Sequence, residues 1–291
     1  YFHGVDERGD PFSLVIEDKT NTQGHDQQLE RYKEIAKKEG HGNLYLVYLK
    51  TGWWSPADER NLQGYKAIRR EDVCKCLRPF SNCHPILDDY LDNLKWISTD
   101  IALGENGALS AAYVADAFTS HAGLHAFLNE AFNPSIDGKD GTWLEYGVGL
   151  GGQPWAHWSF AWEKIHPESK EKEGFFWRVD TRKGQAIISL RKYWDHGGLV
   201  DRKELAAHRF QVYLKAVEST LKALGSGFVP SKLAARRSSY KEQELLQFTL
   251  GHSSKSNNLN DPRERAGAIG EVIHPNLVQA LLAARREMAT Q

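Results

Sequence analysis

Glu17 and Lys19 are the residues of this 291-residue chain whose types and spacing point most directly to chemistry. They close the stretch Phe12-Ser-Leu-Val-Ile-Glu-Asp-Lys-Thr20, in which Phe12, Leu14 and Ile16 alternate with Ser13, Val15 and Glu17. Period-two alternation reads as a strand. Glu17 and Lys19 then share one face, and Asp18 points the other way. Both faces are largely apolar until the strand ends, so two charges there carry a desolvation cost. A carboxylate beside a backbone carbonyl, here Glu17 and the carbonyl of Asp18, suits a hard divalent cation such as Mg²⁺ or Mn²⁺. Such an ion polarises a phosphate and acidifies a water. A neighbouring ammonium orients that water and offsets charge on the transition state. The plain alternative is a salt pair, because Glu-x-Lys is a common spacing.

The surrounding elements decide whether those groups are held in place. Asp6-Glu-Arg-Gly-Asp-Pro11 reads as a turn, so a hairpin leads into the strand. Asp26 caps a helix running to about Glu39, with Leu29, Tyr32, Ile35 and Ala36 on its apolar face and Gly40 as the stop. Asn43 to Lys50 is an almost wholly apolar strand. Strand, helix and strand within about 40 residues favour a right-handed crossover. On the intervening helix Gln28 and Tyr32 stand at i and i+4 and share a face.

The order of strand with Glu-x-Lys, helix with Gln-x-x-x-Tyr and apolar strand resembles the PD-(D/E)XK nuclease superfamily, in particular its RecB-like members. The run IEDKTNTQGHDQQLERYKEI carries the resemblance, closely to about residue 50 and in layout to about 97. It implies a restriction-endonuclease-like α/β core with a mixed sheet and metal-dependent cleavage of DNA, in a prokaryotic or phage-defence setting. Glu17 would bind the metal, Lys19 would act on the water, and Gln28 and Tyr32 would line the site. The family also uses an Asp on the preceding hairpin strand. A turn near Arg8-Gly9 sets Glu17 opposite a position before Tyr1, which leaves Asp6 as the candidate. The family's first helix and strand would lie upstream of Tyr1.

After Lys50 come a loop with Trp53 and Trp54, a short helix over Arg70 to Leu77, and a helix from His84-Pro85 that buries Ile86, Tyr90, Leu94 and Ile97. A longer helix spans Ala108 to Phe132, with Val114, Phe118, Leu124 and Leu128 on one stripe and His121 as a hydrogen-bonded core residue. Thr142–Val148, Trp155–Glu163, Phe175–Thr181 and Gln185–Tyr193 then read as an antiparallel meander. Helices come next over Asp201 to Leu224, near 240–249 and over 275–289. The chain divides into a nuclease core with helical extension, 1–135, and an antiparallel-sheet plus helix module, 136–291.

Composition fits a soluble globular chain: 41% hydrophobic, 26% charged, net charge −1. No run of 18 apolar residues suggests a membrane span. Three cysteines are too few for a disulfide framework, so the expectation is a reducing cytoplasm. Cys74, Cys76, Cys83 and His84 invite a zinc or iron–sulfur reading, but the Cys-x-Cys spacing favours buried structural thiols. Between 181 and 250, thirteen Lys and Arg stand against six acids, which fits a polyanion partner or solvated helix faces. Arg191 and Lys192 would meet phosphate or stand solvated at a strand end, and Trp53 and Trp54 would stack on a base or pack inside. Gly147-Val-Gly-Leu-Gly-Gly152 matches a dinucleotide-binding pattern. A dinucleotide site needs a helix directly after the glycines, and the run Gln153-Pro-Trp-Ala-His-Trp158 alternates as a strand does, which excludes it. DNA is the expected partner; a protein partner or a second copy of the chain stays open. Two other classes remain: a catalytically silent nuclease fold that binds nucleic acid or protein, and an RNA-directed nuclease.

Overall fold

The computed structural model describes residues 1–20, 28–39, 42–54, 58, 62, 64–107, 120–132, 143–148, 153–165, 171–182, 185–195, 203–225, 230, 232–233, 242–250 and 267–289. The chain forms two compact units, Tyr1–Ala102 and Leu103–Gln291. Both mix helices with a sheet.

The first unit is a four-stranded mixed sheet, order β1-β2-β3-β4. β1 (Phe2–Val5) and β2 (Pro11–Lys19) form an antiparallel hairpin; β3 (Asn43–Lys50) and β4 (Lys66–Arg69) add in parallel. Helix α1 (Gln28–Glu39) makes the crossover from β2 to β3, as the apolar spacing leads one to expect. Gly42 enters β3 at φ +60°, and a Cβ there would lie 1.9 Å from the Pro11 carbonyl oxygen, so only glycine fits.

One face of β2 is buried. Val15 packs with Leu29 and Ala36 of α1, with Tyr48 of β3 and with Tyr65. Ser13 and Glu17 are buried on that same face, whereas Ile16 is 38% exposed. α1 covers the Ser13-Val15-Glu17 face. Ile35 of α1, expected on the apolar face, is likewise exposed.

Helix α2 (Arg70–Leu77) starts where the sequence places it, with the Arg69 amide donating to Asp72 Oδ2 at 2.9 Å. A 3-10 turn (Arg78–Phe80) leads toward α3 (Pro85–Gly107). α3 buries Leu94, as expected, together with Leu91; of the other expected residues Ile97 is half-buried, Ile86 is 73% exposed and Tyr90 is also exposed. In the first two turns Leu87 and Leu91 take the inward places expected of Ile86 and Tyr90, because Leu87, Leu91 and Leu94 form an equally regular i, i+4, i+7 row.

The second unit is a six-stranded sheet, order β5-β6-β7-β8-β10-β9. β5 (Trp143–Val148), β6 (Pro154–Lys164), β7 (Lys172–Arg182) and β8 (Gln185–Asp195) form the expected meander, antiparallel throughout. β10 (Glu242–Leu250) pairs with β8 and with the short β9 (Lys232–Leu233). The segment expected as a helix near 240–249 is thus a strand, with a bulge between Glu244 and Leu246.

α4 (His121–Phe132) packs on β6 and β7, and α5 (Lys203–Leu224) on β10. A π-helical turn (Ala268–Ile273) runs directly into α6 (His274–Ala289). Phe175, Trp177, Ile188, Leu190 and Leu246 of the sheet are buried with Phe210, Tyr213 and Val217 of α5 and Leu277 and Leu281 of α6. α4, expected as part of the first segment, falls after Ala102 and so in the second unit. Its predicted start at Ala108, with Val114 and Phe118, lies outside the described residues; Leu124 and Leu128 are fully buried. Among the described residues no helix is long and apolar enough to cross a membrane.

Candidate functional site

β2 delivers Glu17 and Lys19 to one face at its C-terminal end, and the first turn of α1 delivers Gln28 to the same place. Lys19 Nζ lies 2.7 Å from Glu17 Oε1. It lies 3.4 Å from Gln28 Oε1, to which it donates. Gln28 Nε2 donates in turn to Tyr32 Oη at 2.9 Å. The four side chains picked from the sequence therefore form one continuous line of contacts: Glu17, Lys19, Gln28, Tyr32. Glu17 is 8% exposed, and Lys19 is mostly covered at 13% side-chain exposure. This is a partly desolvated pair, outside the high-dielectric regime in which ion pairs count for little.

Parallel register sets Glu17 beside Tyr48 and Lys19 beside Lys50. Lys50 is fully buried and donates to Asp58 Oδ2 at 2.8 Å, while Tyr48 Oη donates to Asp58 Oδ1 at 3.2 Å. Burial pushes the Lys50 ammonium down from its ordinary pKa; Asp58 pulls it back up and Lys19 adds to the depression. Tyr65, whose hydroxyl donates to the Leu29 carbonyl at 3.0 Å, is pushed up to about 12 by burial and by Glu17, Glu30 and Tyr32. Lys50, Asp58 and Tyr65 were not singled out in the sequence. The available signal was Lys50 itself, which ends an apolar strand with a charge as Lys19 does.

Asp18 points away from Glu17 and is exposed on the other face. Its backbone carbonyl is the relevant donor. The Lys19 carbonyl accepts from Thr51 N at 3.2 Å on the β3 side; successive carbonyls along a strand alternate sides, so that of Asp18 is directed toward the β1 side. β1 does not reach that far: Phe2 pairs with Leu14 and Val5 with Pro11. Asp6 is not a neighbour of Glu17. Its Oδ1 accepts from the Arg8 and Asp10 amides at 2.8 and 2.9 Å, tying it into the hairpin turn. The short, tight turn is the physical reason that Asp6 leaves the predicted ligand set. Among the described residues no group of three or more His, Cys, Asp and Glu is placed to hold a metal.

The predicted nucleic-acid contacts fare differently. Trp54 donates Nε1–H to the Lys50 carbonyl at 3.0 Å, meets Tyr48 edge-on at 5.6 Å and lies under the Arg69 guanidinium at 5.1 Å. It packs the end of β3, and Trp53 beside it is half-buried. Arg191 is turned into an ionic row with Asp180, Glu242 and Glu244. Lys192 is fully buried, its Nζ 3.1 Å from Glu173 Oε1. Arg191 and Lys192 are internal partners of carboxylates and do not meet phosphate. Adjacent residues of a strand face opposite ways, and here both sides of β8 carry acids to receive them.

Glu173 anchors that second cluster. It is 1% exposed and accepts from Arg209 Nε at 3.2 Å and Tyr213 Oη at 2.5 Å. Burial pushes its carboxyl up, but Lys192 and Arg209 outweigh that and hold it at about 2. His121 Nε2 donates to the Gly147 carbonyl at 2.9 Å, the core role expected of it. Gly147 lies in β5, and β6, a strand rather than a helix, pairs antiparallel with it; residues 149–152 of the glycine pattern lie outside the described residues. The three cysteines carry no disulfide, and Cys76 and Cys83 are exposed, against the expectation of buried thiols.

Comparison with protein-family models, with curated proteins and with solved structures finds no match for this chain.

Proposed function

We propose that the chain is a metal-dependent nuclease that hydrolyses DNA phosphodiester bonds, built on a PD-(D/E)XK, restriction-endonuclease-like core. The single observation that carries this is the unbroken contact line Glu17–Lys19–Gln28–Tyr32 at the C-terminal end of β2. A salt pair alone would not need the helix to supply two further polar groups in register with it. The order of hairpin, Glu-x-Lys strand, Gln-x-x-x-Tyr helix and parallel strand is the layout that the motifs imply.

The donors fit Mg²⁺ or Mn²⁺: one buried carboxylate and one edge-directed carbonyl are hard oxygens, and Mg²⁺ is commonly bound by one or two carboxylates with waters and substrate phosphate completing its shell. When bound, the ion would acidify a water and polarise the phosphate. Lys19, held by Glu17 and Gln28, would orient the attacking water and offset the developing negative charge. Gln28 fixes the Lys19 side chain from the helix side, and Tyr32 fixes Gln28 in turn. The Lys50–Asp58 pair holds the neighbouring strand end.

The test is cleavage of linear, circular and single-stranded DNA in Mg²⁺ or Mn²⁺, wild type against Lys19→Ala. Loss of one electrostatic stabiliser lowers the rate by roughly 10²- to 10³-fold; activity that survives in Lys19→Ala overturns the assignment. A second reading, a silent fold that binds nucleic acid or protein, draws on Asp6 being held in the hairpin turn. Binding of DNA without cleavage in any metal would select it. Digestion of RNA but not DNA would select an RNA-directed enzyme.

A further inference from the structure

Between α2 and α3 of the first unit lies a groove of about 660 Å³ with a cationic lining: Arg70, Lys75 and Arg78 from α2 and the turn after it, and Lys95 from α3. Arg70, Cys74 and Arg78 stand at i, i+4 and i+8 and so line one helical face. Glu71 is the one acid in the lining, and it holds Arg70 at 2.7 Å. Lys95 is paired with Asp92 at 2.7 Å, outside the groove. Lys75 and Arg78 are exposed and have no ionic partner among the described residues. Arg70 Nε is buried with no hydrogen-bond partner among the described residues.

The inner end of this groove is tied to the candidate site. Arg70 Nη1 donates to the Thr51 carbonyl at 3.2 Å, and Thr51 N donates to the Lys19 carbonyl at 3.2 Å. Tyr90 of α3 feels both the Asp18 carboxylate and Cys74 of the groove, which with burial push its hydroxyl pKa up. Unbalanced positive charge in a trough beside the end of β2 complements a polyanionic strand.

We propose that the α2–α3 groove receives the sugar–phosphate backbone of the DNA strand whose phosphodiester lies at Glu17 and Lys19. The identity of the polyanion rests on the nuclease reading; the groove itself does not. Full-length protein is titrated with fluorescent single-stranded DNA, and in parallel with RNA of the same sequence, in chelator without divalent ions, across a salt series. The triple variant Lys75→Gln, Arg78→Gln, Lys95→Gln is compared with wild type. Each phosphate neutralised contributes about 0.7 to the log–log salt slope for single strands, so the slope falls by roughly 2 and affinity near 0.1 M salt drops at least tenfold. The charge-preserving variant Lys75→Arg, Arg78→Lys keeps the wild-type slope, and unchanged circular dichroism and melting show that the exposed substitutions leave the fold intact.

An unchanged slope in the triple variant overturns the proposal even if wild type cleaves DNA in Mg²⁺. So does wild type that binds no strand at low salt, or a slope change seen with RNA alone. A lowered slope in a protein that cleaves nothing in any metal upholds the groove and defeats the nuclease reading instead.

Discussion

At the residue scale, Glu17 and Lys19 were legible because a period-two pattern fixes which residues share a face before any coordinates exist. Gln28 and Tyr32 were legible for the matching reason on a helix. Which face of β2 is buried was not legible, since Leu14, Ile16 and Val15 are all apolar; only the docking of α1 decides it. Asp6 was misplaced because a turn carboxylate and a ligand carboxylate look alike in sequence, and the backbone amides of Arg8 and Asp10 claim it. Gln28 touches Lys19, so on the proposed nuclease reading Gln28→Ala is expected to lower cleavage by roughly 10- to 100-fold, as loss of a ligand's supporting partner does. Tyr32→Phe, which leaves the ring and removes only the hydroxyl that Gln28 contacts, costs less. Single-turnover rates in saturating Mg²⁺ order the two variants, and the reverse order would refute this division of labour. Asp58→Ala removes the carboxylate to which the buried Lys50 ammonium and Tyr48 hydroxyl donate. It costs ~3–5 kcal/mol of stability, read from urea unfolding of the full chain.

At the element scale, the helices and the meander followed their periods, whereas β10 did not. Glu242-Gln-Glu-Leu-Leu-Gln is rich in good helix formers, and its strand state comes from the open side of β8, which no local propensity records. Once paired, Glu244 and Gln247 meet Arg182 at 3.1 and 3.2 Å, and Leu246 is fully buried. Leu246→Ala therefore costs ~2–5 kcal/mol, where an exposed-helix reading predicts almost nothing; chemical denaturation separates them. Glu173 knits β7, β8 and α5 through Lys192, Arg209 and Tyr213. Glu173→Ala leaves those cations buried together, a loss again of ~3–5 kcal/mol. The π-helical turn has its own constraint. A Cβ on Gly270 would meet the Ala131 carbonyl oxygen at 1.4 Å, so Gly270→Ala pushes α4 off the turn and lowers the melting temperature.

At the scale of the whole molecule, the basic residues between 181 and 250 divide: Lys215 and Lys222 of α5 are exposed, whereas four others on the sheet and α5 are turned inward. Arg182, Arg191, Lys192 and Arg209 are all satisfied by internal acids. Counting charge along a sequence cannot distinguish a cation facing water from one holding two strands together. The second unit also carries two histidines that burial holds neutral: His125 and His274 are both pushed down to about 4, and His274 Nδ1 accepts from Trp177 Nε1 at 3.1 Å. Their ordinary value is 6.5, so between pH 6.5 and 4 the unfolded chain binds more protons than the folded one. Stability from these groups is full above about 6.5 and is lost as pH falls toward 4, by on the order of 1–3 kcal/mol per histidine. Melting of the second unit, followed by Trp177 fluorescence from pH 7.5 to 4.5, shifts downward on that schedule; a flat profile contradicts it.

The contacts from Lys19 to Gln28 to Tyr32 cross from a strand to a helix, and that division acts as an interlock. One residue of slippage turns a helix by about 100°, which would swing both helical groups away from Lys19 together. A misregistered chain would thus lose its aligned ammonium, and on the proposed nuclease reading only correctly assembled copies would cut.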